Sequence, residues 1–266
     1  MIVMKNNLRE KHLLQQLSVH REISVATICD DLQISEATVR RLLQSMEERG
    51  LLMRIHGGAT LEGISRIEPV FDDKRSRNTA AKLLIAERAL EMINDGDQIY
   101  LDGGSTILML ASLLDRKRNL TIVTNSLIAA AELMSTEHKL ILVGGEFRSL
   151  SRTLVGPLSA PIINSLHVDQ AFMGTIGFTV EDGMTTTDPN EAFTKEQIMQ
   201  RARQVILLAD SSKIGLASFA RSGGVEDITT LITEAIETDL KNEMESHGIQ
   251  VLIPTESVAL TVKDKV

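Results

Sequence analysis

The 266-residue chain has one cysteine, Cys29. A lone thiol excludes an internal disulfide framework and a cysteine zinc site, and its apolar helical neighbours predict core packing. Long apolar runs are missing too. None approaches the roughly 18 residues needed to cross a bilayer, and no secretory signal pattern opens the chain, so a cytoplasmic protein is expected. His12, His20, His138, His167 and His247 lack metal-ligand spacing, and neither a metal nor a cofactor is expected. An excess of basic charge is absent as well. Net charge is −8; residues 1–66 hold nine Lys/Arg against eight Asp/Glu, which leaves residues 67–266 at −9. Non-specific attraction to phosphates should therefore be modest, which favours an operator-specific oligomer over a general DNA coater. Any DNA affinity must come from a few placed arginines and from a second copy of the chain.

What is present begins with Ser35–Ala59, "SEATVRRLLQSMEERGLLMRIHGGA". Ser35 is a natural N-cap. Val39, Leu42, Leu43 and Met46 recur with the spacing of one apolar helix face, while Arg40 and Arg41 stand on the other side and Gly50 stops the helix. Leu51–Ile55 reads as a wing strand turned by Gly57-Gly58. Upstream, Leu8, Leu13, Leu14 and Leu17 predict a helix from about Asn7 to Val19, and Ser24 caps a short helix holding Val25, Ile28 and Leu32. The expectation is a winged helix-turn-helix over residues 1–60, with Ser35, Thr38, Arg40 and Arg41 at the major groove and Arg54 and His56 on flanking backbone. A plain three-helix bundle would leave the arginine pair as a solvated face. The short helix, tight turn, arginine pair and wing together are the more specific pattern.

Residues 61–78, "LEGISRIEPVFDDKRSRN", read as a linker because they combine Gly, Pro69 and clustered charge. Beyond it, over residues 79–266, "QIYLD", "LTIVT", "KLILVGG", "VDQAFMG", "QVILLAD", "ITTLIT" and "IQVLI" are short β-rich runs. Amphipathic stretches such as Ala80–Ile93, Thr106–Leu114 and Asn190–Arg201 lie among them. This alternation predicts an α/β domain with a mostly parallel sheet, whose ligands bind where strands lead into helices. At such a junction, Gly103, Gly104, Ser105 and Thr106 offer close backbone approach and hydroxyl donors to an anion. An ordinary βα turn explains them equally well, since the P-loop and dinucleotide fingerprints are both lacking. Thr124, Asn125, Ser126, Gly144, Gly145, Asp210 and Lys213 repeat the theme at other strand ends. Asp102 and Asp169 flank the same edge, each as able to cap a loop as to touch a sugar hydroxyl.

In order and spacing, the first motif together with "LDGGST", "VTNSL", "VGGEF", "VDQAFMG", "FTKE" and "LADSSKIG" resembles the DeoR family of bacterial sugar-metabolism regulators across nearly the whole chain. The resemblance implies a winged helix-turn-helix followed by an effector-binding and oligomerisation domain shaped like ribose-5-phosphate isomerase. It implies operator DNA as partner, a phosphorylated sugar as effector, a homo-oligomer, and most often repression of a carbohydrate operon. Likeness to the isomerase also points to Lys82 as a phosphate partner of Ser105, and gives Glu196 and Lys213 counterparts. Lys82 could instead be a surface residue, and Glu196 half of a surface pair. The family usually has Asp where this chain has Leu42, which is read as a packing residue. An isomerase-like enzyme with a DNA-binding head is the competing class. Enolisation needs a carboxylate base, whereas the aligned strand end, Met173–Gly177, carries none, so a sensor rather than an enzyme is expected.

Overall fold

The computed structural model describes residues 9–10, 12–13, 16–17, 22–48, 52–60, 68 and 70–254. The chain divides into two compact units, Met1–Pro69 and Val70–Val266.

In the first unit Ser24 caps α1 (Val25–Leu32), its hydroxyl accepting the Thr27 N–H at 3.0 Å. Gln33, left-handed at φ 50°, turns the chain toward α2 (Glu36–Glu48). Val39, Leu42, Leu43 and Met46 are all buried and share a core with Leu13, Leu17, Ile28 and Ala59. Leu42 is therefore a packing residue, as its position in the apolar period requires. The Ser35 hydroxyl meets that of Thr38 at 2.9 Å, while its carbonyl accepts the Thr38 and Val39 N–H groups. The wing is one strand larger than expected: β1 (Glu22–Ser24) joins β2 (Met53–Ile55) and β3 (Gly58–Thr60) in the antiparallel order β1-β3-β2. A three-residue strand carries too little alternation to be recognised by pattern. Leu8, Leu14, Gly50, Leu51, the outer ends of the first helix and residues 61–67 and 69 of the expected linker lie outside the described residues.

The second unit opens with α3 (Phe71–Ser76), where a linker was expected. The clustered charges there are helix polarity: Asp72 and Asp73 occupy the first turn and Lys74 and Arg75 the last, each matching the helix dipole. There follow α4 (Thr79–Glu91), β4 (Gln98–Leu101), α5 (Ser105–Ala111), β5 (Thr121–Thr124), α6 (Leu127–Leu133), β6 (Lys139–Leu142), and a hairpin of β7 (Glu146–Arg148) and β8 (Thr153–Val155). After α7 (Ala160–Asn164) come β9 (Val168–Met173), β10 (Gly177–Thr179), β11 (Gly183–Thr186), α8 (Pro189–Met199), β12 (Ala202–Leu208), β13 (Ala220–Gly223), β14 (Thr230–Ile232), α9 (Thr238–Ser246) and β15 (Gln250–Leu252).

All seven strand-like runs of the sequence enter one parallel sheet, ordered β15-β14-β12-β9-β4-β5-β6. Parallel strands covered on both faces read as continuous apolar runs, and here alternate residues feed two cores. Ile99 and Leu101 pack with α4, α5 and α6, whereas Tyr100, Ala171 and Met173 pack with α7, α8 and α9. Strand order reverses between β4 and β9, which opens a crevice at their carboxyl ends.

Candidate functional site

Two surfaces carry candidate chemistry, one in each unit. On the exposed side of α2 stand Thr38, Arg40 and Arg41, with Ser35 at its start. Arg40 is held by Glu36 one turn earlier, Nη2 to Oε1 at 2.5 Å, with both side chains more than half exposed. Such a surface pair contributes about 0–1 kcal/mol, little enough for a phosphate or base edge to displace. In the wing, the Arg54 N–H donates to Glu47 Oε1 at 3.0 Å, and its guanidinium lies 3.9 Å from the same carboxylate. His56 is exposed at the turn between β2 and β3. The helix face and the wing turn thus place all six expected DNA-contacting residues at the surface of the first unit.

In the second unit the reversal between β4 and β9 is filled by a buried ion network. Asp102, directly after β4, is 2% exposed and pairs with Lys195 from α8, also 2% exposed. The Asp102 carboxylate also accepts the Gly174 N–H at 3.0 Å, and Lys195 donates to the Gly174 carbonyl at 3.0 Å, so both chains close on the end of β9. Glu191, one turn before Lys195, lies 3.7 Å from it and 3.2 Å from Arg148 of β7. Arg148 reaches Ser151 and Thr187 as well. Burial, helped by the nearby charges of Asp102 and Glu191, pushes the Tyr100 phenol well above its ordinary pKa. The Tyr100 hydroxyl, Asn125 Oδ1 and Thr186 Oγ1 are buried and find no hydrogen-bond partner among the described residues. Buried polar atoms left unpaired cost stability unless something else satisfies them.

Facing α4 instead is a second, cationic group. Lys82, 4% exposed, donates to the carbonyls of Lys74 and Arg77. Its pKa is lowered to about 8, mainly by burial; Asp210 works against the shift, and Lys213, Arg77 and Lys74 add to it. The Asp210 carboxylate caps the 3-10 turn Ser211–Lys213 and accepts the Asn78 amide at 2.9 Å. Lys82, Asp210 and Lys213, far apart in sequence, therefore share one electrostatic neighbourhood.

The βα turn between β4 and α5 is built as the glycines suggest. Gly104 has φ +133°, a conformation open to glycine, and a side chain on Gly103 would strike the Thr153 methyl group. Ser105 is half-buried and Thr106 buried. Other expected site residues have structural duties. Thr124 is fully buried, donating to the Leu101 carbonyl and accepting the Ser126 N–H. Gly145 lets the chain pass against the β8 backbone, where a Cβ would lie 2.8 Å from the Val155 oxygen. Ser126 caps α6. Asp169 accepts the Gln98 N–H at 2.8 Å, at the opposite end of β4 from Asp102, so the two aspartates do not flank one edge. Glu196 is exposed, whereas its neighbour Lys195 is buried in the site.

Lys195, Glu191, Arg148 and Tyr100 were not singled out by sequence. One signal was present: Glu191, Lys195, Ile198 and Met199 share a helical face with the apolar period of α8, which marks both charges as inward. No group of three or more metal-ligating side chains occurs among the described residues.

A winged helix-turn-helix followed by a parallel α/β unit with a buried charge network defines a DNA-binding protein with a second, separate α/β unit. Residues 9–63 match the DeoR-like helix-turn-helix domain, and residues 77–235 match the DeoR C terminal sensor domain. The chain is 34% identical over 246 residues to the uncharacterized HTH-type transcriptional regulator FruR of Bacillus subtilis, spanning 92% of this chain and 98% of that protein. It is 34% identical over 246 residues to the HTH-type transcriptional regulator GlpR of Haloferax volcanii (92% and 96%). With the lactose phosphotransferase system repressor of Streptococcus mutans it shares 30% over 248 residues (92% and 98%). The chain belongs to the DeoR family of helix-turn-helix transcriptional regulators. Among solved structures, ribose 5-phosphate isomerase A of Methanocaldococcus jannaschii aligns with 52% of this chain and 55% of its own, at 19% identity and a TM-score of 0.38, too slight a likeness to carry chemistry. No described helix is long and apolar enough to cross a membrane.

Proposed function

We propose that this regulator represses a carbohydrate-utilisation operon and is released from its operator by a phosphorylated sugar. The observation that carries this reading is the set of buried side-chain atoms with unmet hydrogen-bonding capacity in the sensor unit, on Tyr100, Asn125 and Thr186; the same unit also gathers Lys82 and Lys213 around Asp210. A sugar ester needs that combination. The anion belongs with Lys82, Lys213, Ser105 and Thr106, near the flexible backbone of Gly103 and Gly104. Sugar hydroxyls belong with Asp102, Asn125, Lys195 and Tyr100. Thr124, Gly145 and Glu196 leave the proposed set for the structural reasons given above. Operator DNA is contacted by Ser35, Thr38, Arg40, Arg41, Arg54 and His56. Because the first 66 residues carry only +1, a homo-oligomer is needed to present two heads to one operator.

The protein is read as a sensor without catalysis. Two carboxylates do reach the crevice from elements other than the aligned strand end, Asp102 and Glu191. Both are engaged in ion pairs with Lys195 or Arg148, structural duties that argue against either serving as the base of an enolisation. A thermal-shift screen of phosphorylated sugars and polyols tests the ligand class. At least one ester is expected to raise the melting temperature while its unphosphorylated parent does not; no response to any ester overturns the reading, and measurable isomerisation of ribose 5-phosphate overturns the exclusion of catalysis.

A further inference from the structure

We propose that α3 is the output element of the sensor unit, clamped at one end by Arg152 and at the other by Lys82, and that an anion drawn to Lys82 loosens it. A six-residue helix has too few internal hydrogen bonds to persist alone, so its anchors decide its state. At the N-terminal end, the Arg152 guanidinium lies 5.3 Å from the centre of the buried Phe71 ring and 2.5 Å from Asp72 Oδ2. Arg152 occupies the β7–β8 turn with φ +55°, an uncommon backbone conformation for a non-glycine residue. Its neighbours look into the crevice: the Ser151 hydroxyl accepts from Arg148 at 3.2 Å and meets that of Thr153 at 2.7 Å, and the Thr153 methyl closes against Gly103.

At the C-terminal end, the Lys82 ammonium serves the carbonyls of Lys74 and Arg77, acceptors of the kind that a helix terminus leaves unsatisfied. Asn78, left-handed at φ +49°, forms the elbow between α3 and α4 and is tied to Asp210. An anion beside Lys82 competes for the same ammonium hydrogens that hold α3. The helix is also the first element of the sensor unit, next in sequence to the residues that lead from the DNA-binding unit. One short helix therefore joins the ligand crevice, through both of its ends, to the connection between units.

The inference rests on the reading that the ligand is anionic and lowers operator affinity. Its test uses no ligand. Full-length Arg152→Ala and Arg152→Lys are compared with wild type by fluorescence anisotropy, on a DNA fragment that wild type selects from a random pool. Arg152→Ala imitates release at one anchor and is expected to bind this fragment about fivefold to tenfold more weakly, whereas Arg152→Lys, which keeps the ion pair, stays within about threefold. Asp72→Asn, which weakens the same anchor from the helix side, is expected to follow Arg152→Ala. Affinities of both Arg152→Ala and Asp72→Asn within about twofold of wild type, or equal losses in Arg152→Ala and Arg152→Lys, overturn the role of α3. If no sugar phosphate shifts the melting of wild type, the ligand reading falls, and this comparison still decides what α3 does.

Discussion

Lys195 and Lys82 show how differently two buried lysines can be used. Lys195 faces Asp102 and Glu191 in the buried interior, and removing it leaves the Asp102 carboxylate without its cation. Lys195→Met is expected to cost about 3–5 kcal/mol in urea unfolding of the sensor unit, and adding Asp102→Asn should recover part of that loss. Equal stability of Lys195→Met and wild type would mean that the pair contributes nothing. Lys82 instead has its pKa lowered to about 8, first by burial. Its unfolded value is about 10.4, so between these two values the unfolded chain binds more protons. The contribution of Lys82 to stability therefore rises with pH across that window, and the cost of burying its charge is fully present below it. Anion binding runs the other way. An anion favours the charged ammonium, so affinity for a sugar phosphate, or for inorganic phosphate as probe, should fall as pH rises through about 8. Calorimetric titration of wild type and Lys82→Met at several pH values checks this: the variant should bind weakly and without the inflection, and an identical profile in both removes Lys82 from the anion site. Resemblance to the isomerase pointed to Lys82. Spacing could not point to Lys195, whose partner Asp102 lies 93 residues earlier and is met only when β4 and α8 close on the crevice.

Among the elements, α2 was the most legible, because its apolar period is a local property. Its exposed arginines carry the most direct prediction. Arg40→Ala should weaken binding to the selected DNA fragment by about 1–3 kcal/mol if the guanidinium grips a base edge, and should relax sequence preference at one position. Unchanged affinity in a gel shift would assign Arg40 to the Glu36 pair alone. The seven strands of the parallel sheet were legible for the same reason as α2, as short β-branched runs bounded by glycine and polar turns. Among the elements that escaped were α3, β1, the β7–β8 hairpin and the strands β10, β11 and β13, each element three to six residues long. Over such lengths a hydrophobic period cannot complete itself. The charges of α3 resembled a linker because a short polar helix and a charged loop have the same composition; only the order of acid before base distinguishes them.

At the scale of the whole molecule, a nearly neutral DNA-binding unit is joined to a strongly acidic sensor unit. If a single head binds weakly and the proposed homo-oligomer presents two, a modest change in how they are presented changes occupancy greatly. A ligand can bring about that change only through differential affinity for the two states. In the proposed account the carboxyl ends of β4 and β9 are the place for such a ligand, and α3 is the route outward. Two-domain organisation was visible in the sequence from the change of period near residue 60, but the assignment of residues 70–78 to the sensor unit came from packing, with Phe71 buried at 1% exposure. The central claim is control of DNA binding by a phosphorylated sugar. Its most direct measurement titrates the wild-type complex with the selected DNA fragment against a panel of sugar phosphates and their unphosphorylated parents, following DNA release by anisotropy. The account predicts that at least one ester releases the DNA at concentrations where its parent sugar does not, and that Lys82→Met requires at least about tenfold more of it, the loss of a charge-assisted contact. Retention of the DNA in the presence of every ester, or equal release by ester and parent sugar, would contradict it.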